Sequence, residues 1–190
     1  MARPLEEEAR AVALAAELMR LGARRPVVEA ETGLSGERLT RLYVEVTGQA
    51  PARGQLPHSP AWFLHRSVGL HVALFDGWRR RLLQQAGLSG SPALMTAYRL
   101  YREETARLGL VAALDFTRAW SLVRFLGAGL LVHHACPRCG LVHVGAPRAP
   151  LAARLCAGCQ PSPVQAARQA RATASATLMP STPADRMPPA

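Results

Sequence analysis

Every cysteine of this chain lies in one stretch of 24 residues, "CPRCGLVHVGAPRAPLAARLCAGC", at positions 136–159. They form two like pairs, Cys136-x2-Cys139 and Cys156-x2-Cys159, with sixteen residues between the pairs. That pattern constrains the fold strongly, because it is the spacing of a four-cysteine zinc site. A two-residue gap lets both sulfurs of one turn reach a shared ion at about 2.3 Å and occupy two corners of a tetrahedron; a second turn supplies the other two. Gly140, directly after Cys139, permits the tight turn that aims backbone N–H groups at a thiolate. With four protein ligands no position is left for water, so the expected role is structural. It would close a small module too poor in core to fold alone. Iron in the same thiolate geometry and redox-active or unligated thiols are the competing readings. His133, His134 and His143 lie close by, but four cysteines already complete the shell, so these are read as packing or surface histidines.

The choice between metal and disulfide depends on compartment. The chain begins "MARPLEEEAR", with three glutamates where an export signal would carry basic and then apolar residues. No apolar run approaches the roughly 18 residues that a membrane span requires; "FLGAGLLV" is among the longest. The expected location is the cytoplasm, where thiols stay reduced and a cysteine cluster suggests metal.

Before the cysteines the pattern is helix after helix. "LEEEARAVALAAELMRLG" places Leu5, Ala9, Val12, Ala16 and Met19 on one face, with glutamates in its first turn and Gly22 after its last. Pro26 suits the first turn of a short helix ending at Thr32-Gly33. Ser35 can cap a third, with Leu39, Leu42, Tyr43 and Val46 as its apolar stripe and Gly48 as its stop. "GQAPARGQLPHSP" is a loop. Ser59-Pro60 predicts a helix running to about Ala86, and Ser91-Pro92 repeats the device ahead of Leu94, Tyr98 and Tyr101. Asp115 can cap a last helix, "FTRAWSLVRFLGAGLLVHH". The expectation is a mainly α chain: a helical domain over 1–134, a zinc-binding module over 135–160, and a disordered tail over 161–190. The tail is rich in Pro, Ala, Ser and Thr and has too little apolar surface to offset its ordering entropy.

Charge suggests the partner. The net charge is +10, all 23 basic residues are arginine, and residues 1–50 carry −1 against +11 for residues 51–190. Such an excess suits a polyanion, through phosphate neutralisation and counterion release; the plain alternative is a chain that uses arginine wherever a solvated cation will do. Within "RRPVVEAETGLSGERLTRLYVEVTG" a helix-turn-helix-like segment is expected at 26–47, with "TGLS" as its turn and the helix from Gly36 as its recognition helix. Arg38 and Arg41, early and exposed on that helix, are the candidate DNA contacts. An ordinary helical hairpin with solvated charges is the competing reading, and the phosphate surface could instead lie around Arg79-Arg80-Arg81 or the cysteine module. No Gly-rich phosphate loop follows a strand and no Ser/His/Asp set is evident, so no enzyme is expected. His58, His65 and His71 are read as loop and helix-surface residues.

Taken in order, "LGARRPVVEAETGLSGERLTRLYVEVTG", "GQLPHSPAWF", "AYRLYRE", "TRAWSLVRFLGAGLL", "CPRCG" and "CAGCQP" resemble the FlhC family, a subunit of the bacterial flagellar master transcriptional activator. The resemblance covers roughly residues 5–163. It implies a cytoplasmic, mostly helical, zinc-binding protein that forms a heterohexamer with the small helical partner FlhD. It also implies binding to DNA upstream of flagellar operons and recruitment of RNA polymerase, with neither a membrane nor a small-molecule substrate. Cys136, Cys139, Cys156 and Cys159 match the family's four zinc ligands one for one. The alternative reading is a zinc-stabilised protein–protein adaptor that does not contact DNA directly.

Overall fold

The structure, a computed structural model, describes residues 4–52 and 54–161. The expected disordered tail lies outside the described residues apart from Pro161. Six α-helices and one two-stranded hairpin form among the described residues: α1 (Leu5–Arg20), α2 (Arg25–Thr32), α3 (Gly36–Thr47), α4 (Arg66–Gln85), α5 (Gly90–Arg107), α6 (Phe116–Gly127), β1 (Val132–Ala135) and β2 (Val142–Gly145). The chain is mainly α, as its periodicity predicts.

α1 carries Glu6, Glu7 and Glu8 in its first turn and Arg20 in its last, which suits the helix dipole. Its buried line is Ala11, Ala15, Leu18 and Met19, and it packs on both α2 and α3. Leu5, expected at the head of the apolar face, is 84% exposed. The helix is alanine-rich all round, so more than one stripe satisfies a 3.6-residue period, and its partner helices choose among them. α2 and α3 are joined by a short turn in which Gly33 takes φ 65°, a left-handed conformation that costs glycine little. Two helices joined by a short turn therefore form where the sequence places them.

Glu31 of α2 fastens this segment to the rest of the core. Its carboxylate accepts the indole N–H of Trp120 on α6 at 2.7 Å and the hydroxyl of Ser91 on α5. Below it, Phe75, Tyr101, Phe116 and Leu122 are fully buried, and α4 and α5 pack side by side.

Three local expectations are corrected. The helix expected from Ser59 to Ala86 is broken. Ser59 does cap, accepting the Ala61 N–H at 3.2 Å, but it caps a 3₁₀ turn, Pro60–Leu64, and His65 is extended (φ −66°, ψ 134°) before α4 begins. The break lets Phe63 turn into the core against Phe125, ring centroids 5.8 Å apart. At α5 the N-cap position belongs to Ser89, and Ser91 sits inside the first turn, where it serves Glu31. α6 stops at Gly127 rather than running to His134. Gly129 at φ 69° donates to the Leu126 carbonyl and Leu130 to that of Phe125, a Schellman ending that releases the chain into β1. A fourth correction concerns His71. It lies inside the protein, its Nδ1 3.0 Å from the Tyr101 hydroxyl, and burial pushes its pKa below the ordinary histidine value.

Candidate metal centre

β1 and β2 pair antiparallel with Val132 opposite Gly145 and Ala135 opposite Val142. The connection between them is the first cysteine turn. The Cys136 N–H donates to the Leu141 carbonyl at 2.9 Å, continuing the ladder by one step. The Gly140 N–H returns to the Cys136 carbonyl at 2.8 Å. Gly140 stands at φ 74°, so the glycine expected to permit this turn does so. After β2 the chain passes through a 3₁₀ turn at Leu151–Ala153 and enters the second pair. There the N–H groups of Cys159 and Gln160 both donate to the Cys156 carbonyl, at 2.9 and 3.0 Å. Two similar turns are thus presented to each other, one from a hairpin and one from a loop.

Between them the four sulfurs of Cys136, Cys139, Cys156 and Cys159 all lie within 4.8 Å of one another. Cys139 Sγ and Cys156 Sγ are 3.7 Å apart. Two sulfurs about 2.3 Å from a common centre at tetrahedral angles would stand about 3.8 Å apart, so the cluster fits one ion. Cys136 and Cys156 are buried, Cys159 is half-buried and Cys139 is exposed. The Cys156 N–H points at Cys136 Sγ at 3.4 Å, and it is the first reason that the Cys136 thiol is held down to about 6. The Cys159 thiol is pushed up to about 12, first by its hydrogen bond with Cys139 and then by burial. The fold thus favours the thiolate at Cys136 and the thiol at Cys159. Such a set suits a soft cation, whose binding would release protons.

The nearby histidines do not join the sulfurs. His134 Nε2 lies 2.8 Å from the Ala146 carbonyl and His143 Nε2 lies 2.8 Å from that of Arg154. Both therefore clip the hairpin to the loop that delivers the second cysteine pair, as packing residues would. His133 reaches the other way, to α4, where its Nε2 meets the buried Asp76 carboxylate at 2.8 Å. Asp76 also receives Arg79 (2.9 Å) and Arg80 (3.0 Å), and Arg80 approaches the Val142 carbonyl of β2 at 3.5 Å. Sequence reasoning missed this joint. Its signal was present: the single acid of a 20-residue helix, followed by arginines at i+3 and i+4. Gly69 of α4 completes the seat. A Cβ there would stand 2.7 Å from the Ala157 Cβ, between the two cysteines of the second pair.

Arg38 and Arg41 both lie on the exposed side of α3. Arg38 is ion-paired across to Glu8 of α1, and Arg41 along its own helix to Glu37. The two residues are not brought to the metal centre, and no helix among the described residues is long and apolar enough to cross a membrane.

Residues 1–173 match the family described as flagellar transcriptional activator (FlhC). Relatives named flagellar transcriptional regulator FlhC include one from Verminephrobacter eiseniae, 45% identical over 70% of this chain and 72% of its own length. Another, from Thauera aminoaromatica, is 40% identical over 90% of this chain and 88% of its own. A third, from Serratia marcescens, is 39% identical over 84% and 82%. The matched residues include both the segment from α2 to α3 and all four cysteines, and on this evidence the chain belongs to the FlhC family of flagellar transcriptional regulators.

Proposed function

We propose that this chain is a DNA-binding subunit of a flagellar transcriptional activator, working in the cytoplasm in a hetero-oligomer with FlhD and recruiting RNA polymerase at promoters of flagellar operons. One zinc ion, held by Cys136, Cys139, Cys156 and Cys159, keeps the module over 135–160 folded. The observation that carries this reading is that one family match spans both a helix-turn-helix-like segment and a complete four-thiol cluster. An all-sulfur donor set suits zinc over the hard cations, and four protein donors leave it no catalytic position. Zinc supplies cross-linking here and no chemistry. The helical part over 1–134 supplies the reading surface, with Arg38 and Arg41 on α3 as its candidate contacts.

A second reading, the zinc-stabilised adaptor that leaves DNA to its partner, is favoured by the ion pairs at both arginines. The pair at Arg41 is a weak obstacle. Arg41 and Glu37 are 73% and 78% exposed, and exposed pairs are worth about 0.5 kcal/mol, so a phosphate or a guanine edge displaces the glutamate readily. The test is the chain co-purified with FlhD, titrated with promoter duplex across a salt series. A steep fall of affinity with salt, together with crosslinks from this chain to DNA, supports the first reading. Crosslinks from FlhD alone support the adaptor.

A further inference from the structure

Beside the start of α2 the surface opens into a cleft of about 380 Å³ that the candidate contacts on α3 do not touch. Arg24 and Arg118 both line it, with His58 and the ring of Trp62. Arg24 is fixed there at two points. Its N–H donates to Thr117 Oγ1 at 3.2 Å, and its guanidinium donates to the Gln55 carbonyl at 3.0 Å. Arg118 lies over Trp62, its guanidinium carbon 4.3 Å from the ring centroid. That stacking orders the side chain while leaving its N–H fork free to bond. Among the described residues neither guanidinium is ion-paired, although most other arginines of α1, α3 and α4 are. The cleft's carboxylate, Asp115, is committed to capping α6, where it accepts the Arg118 N–H at 2.7 Å. Two ordered cations against the single carboxylate of Asp115 leave the cleft with a net positive charge, which suits an anion from outside the chain.

The position of the cleft selects which anion. In a helix-turn-helix the first helix crosses the sugar–phosphate backbone while the second enters the groove. Arg24 is the residue immediately before α2, the first of the two helices. Arg25, the next residue, lays its guanidinium against Gly36 at the start of α3, where a Cβ would stand 2.9 Å from Nη1. The cleft therefore adjoins the beginning of α2, and Arg25 links that end of α2 to the beginning of α3. We infer that Arg24 and Arg118 form a clamp for a DNA backbone phosphate, with His58 at its rim, which sets the position of α3 on the duplex without reading sequence.

This rests on the DNA-binding reading above, and its test separates the two. The full chain co-purified with FlhD is titrated with promoter duplex and with an unrelated duplex of equal length, across a salt series. Arg118→Gln is expected to weaken both duplexes alike, by about five- to tenfold, and to reduce the slope of log affinity against log salt by about 0.9. Asp115→Asn keeps a competent N-cap and removes the cleft's negative charge, so it is expected to tighten both duplexes about twofold. A folding defect cannot produce that gain. Unchanged affinity and slope in Arg118→Gln, a loss confined to the promoter duplex, or no gain in Asp115→Asn overturns the clamp while wild-type binding keeps the DNA reading standing. Wild-type complex that binds neither duplex overturns both.

Discussion

His133 of β1 donates through Nε2 to the carboxylate of Asp76, near the middle of α4, across 2.8 Å. The carboxylate is 1% exposed, and its other two partners, Arg79 and Arg80, come from its own helix. The histidine is thus the group through which the hairpin carrying the first two cysteines is bonded to this carboxylate.

Asp76→Ala is expected to lower unfolding free energy by about 2–4 kcal/mol, because it leaves three donors facing an apolar gap. His133→Ala removes one donor from an otherwise satisfied carboxylate and is expected to cost about 1 kcal/mol. Urea denaturation of metal-loaded protein measures both, and equal effects would contradict the ranking.

Two glycines of α4 are expected to respond to alanine with opposite signs. At Gly69 the new Cβ meets Ala157, a short side chain with no freedom to swing away, and the metal loop must move; about 1–3 kcal/mol is lost. At Gly77 nothing lies within 4 Å, so the better helix former gains about 0.5–1 kcal/mol. Thermal melts of the pair read the difference directly.

Cys136→Ser removes a buried thiol whose ionisation the fold favours. Elemental analysis is expected to fall from about one zinc per chain to near zero, with rapid proteolysis between residues 135 and 160. Retained zinc with unchanged protease resistance would refute the proposed ligand set.

Arg41→Ala is expected to weaken promoter binding by about 1–3 kcal/mol while leaving zinc content alone, as a base-edge contact should. Unchanged binding removes Arg41 from the reading surface. Arg38→Ala carries an added structural cost, since Arg38 also ties α3 to Glu8 of α1.

His71 is expected to make stability pH-dependent. Burial lowers its pKa in the folded protein below the ordinary value of 6.5, so the unfolded chain binds a proton that the folded chain refuses. The contribution is fully present above about pH 6.5 and is lost as pH falls below it. His71→Gln should flatten this part of the stability profile, measured with metal loaded so that thiolate protonation is common to both proteins.

Much of the helical architecture was legible because helices are local. The caps at Ser59 and Asp115, the turn at Gly33 and the stop at Gly48 each act within a few residues, and each is found where the pattern puts it. The cysteine pairs were legible for a related reason. Ligand spacing encodes metal geometry almost regardless of the surrounding fold, and four sulfurs within 4.8 Å are the result.

Where two segments must choose each other, periodicity alone is insufficient. It could not tell which stripe of an alanine-rich α1 is buried, or that His65 breaks a helix so that Phe63 can enter the core. Nor could it show that His71 and Asp76, both polar and mid-helix, point inward. A buried polar group is tolerated only where partners from other elements meet it, and Tyr101 and His133 lie 30 and 57 residues further along the chain. The sequence by itself determined the helical content, the place of the turn between α2 and α3, and the four-sulfur set, since each depends on short-range geometry. Only the tertiary structure decided how the cysteine hairpin is seated on α4 and which arginines, among the described residues, form no ion pair, because both depend on distant residues converging in space.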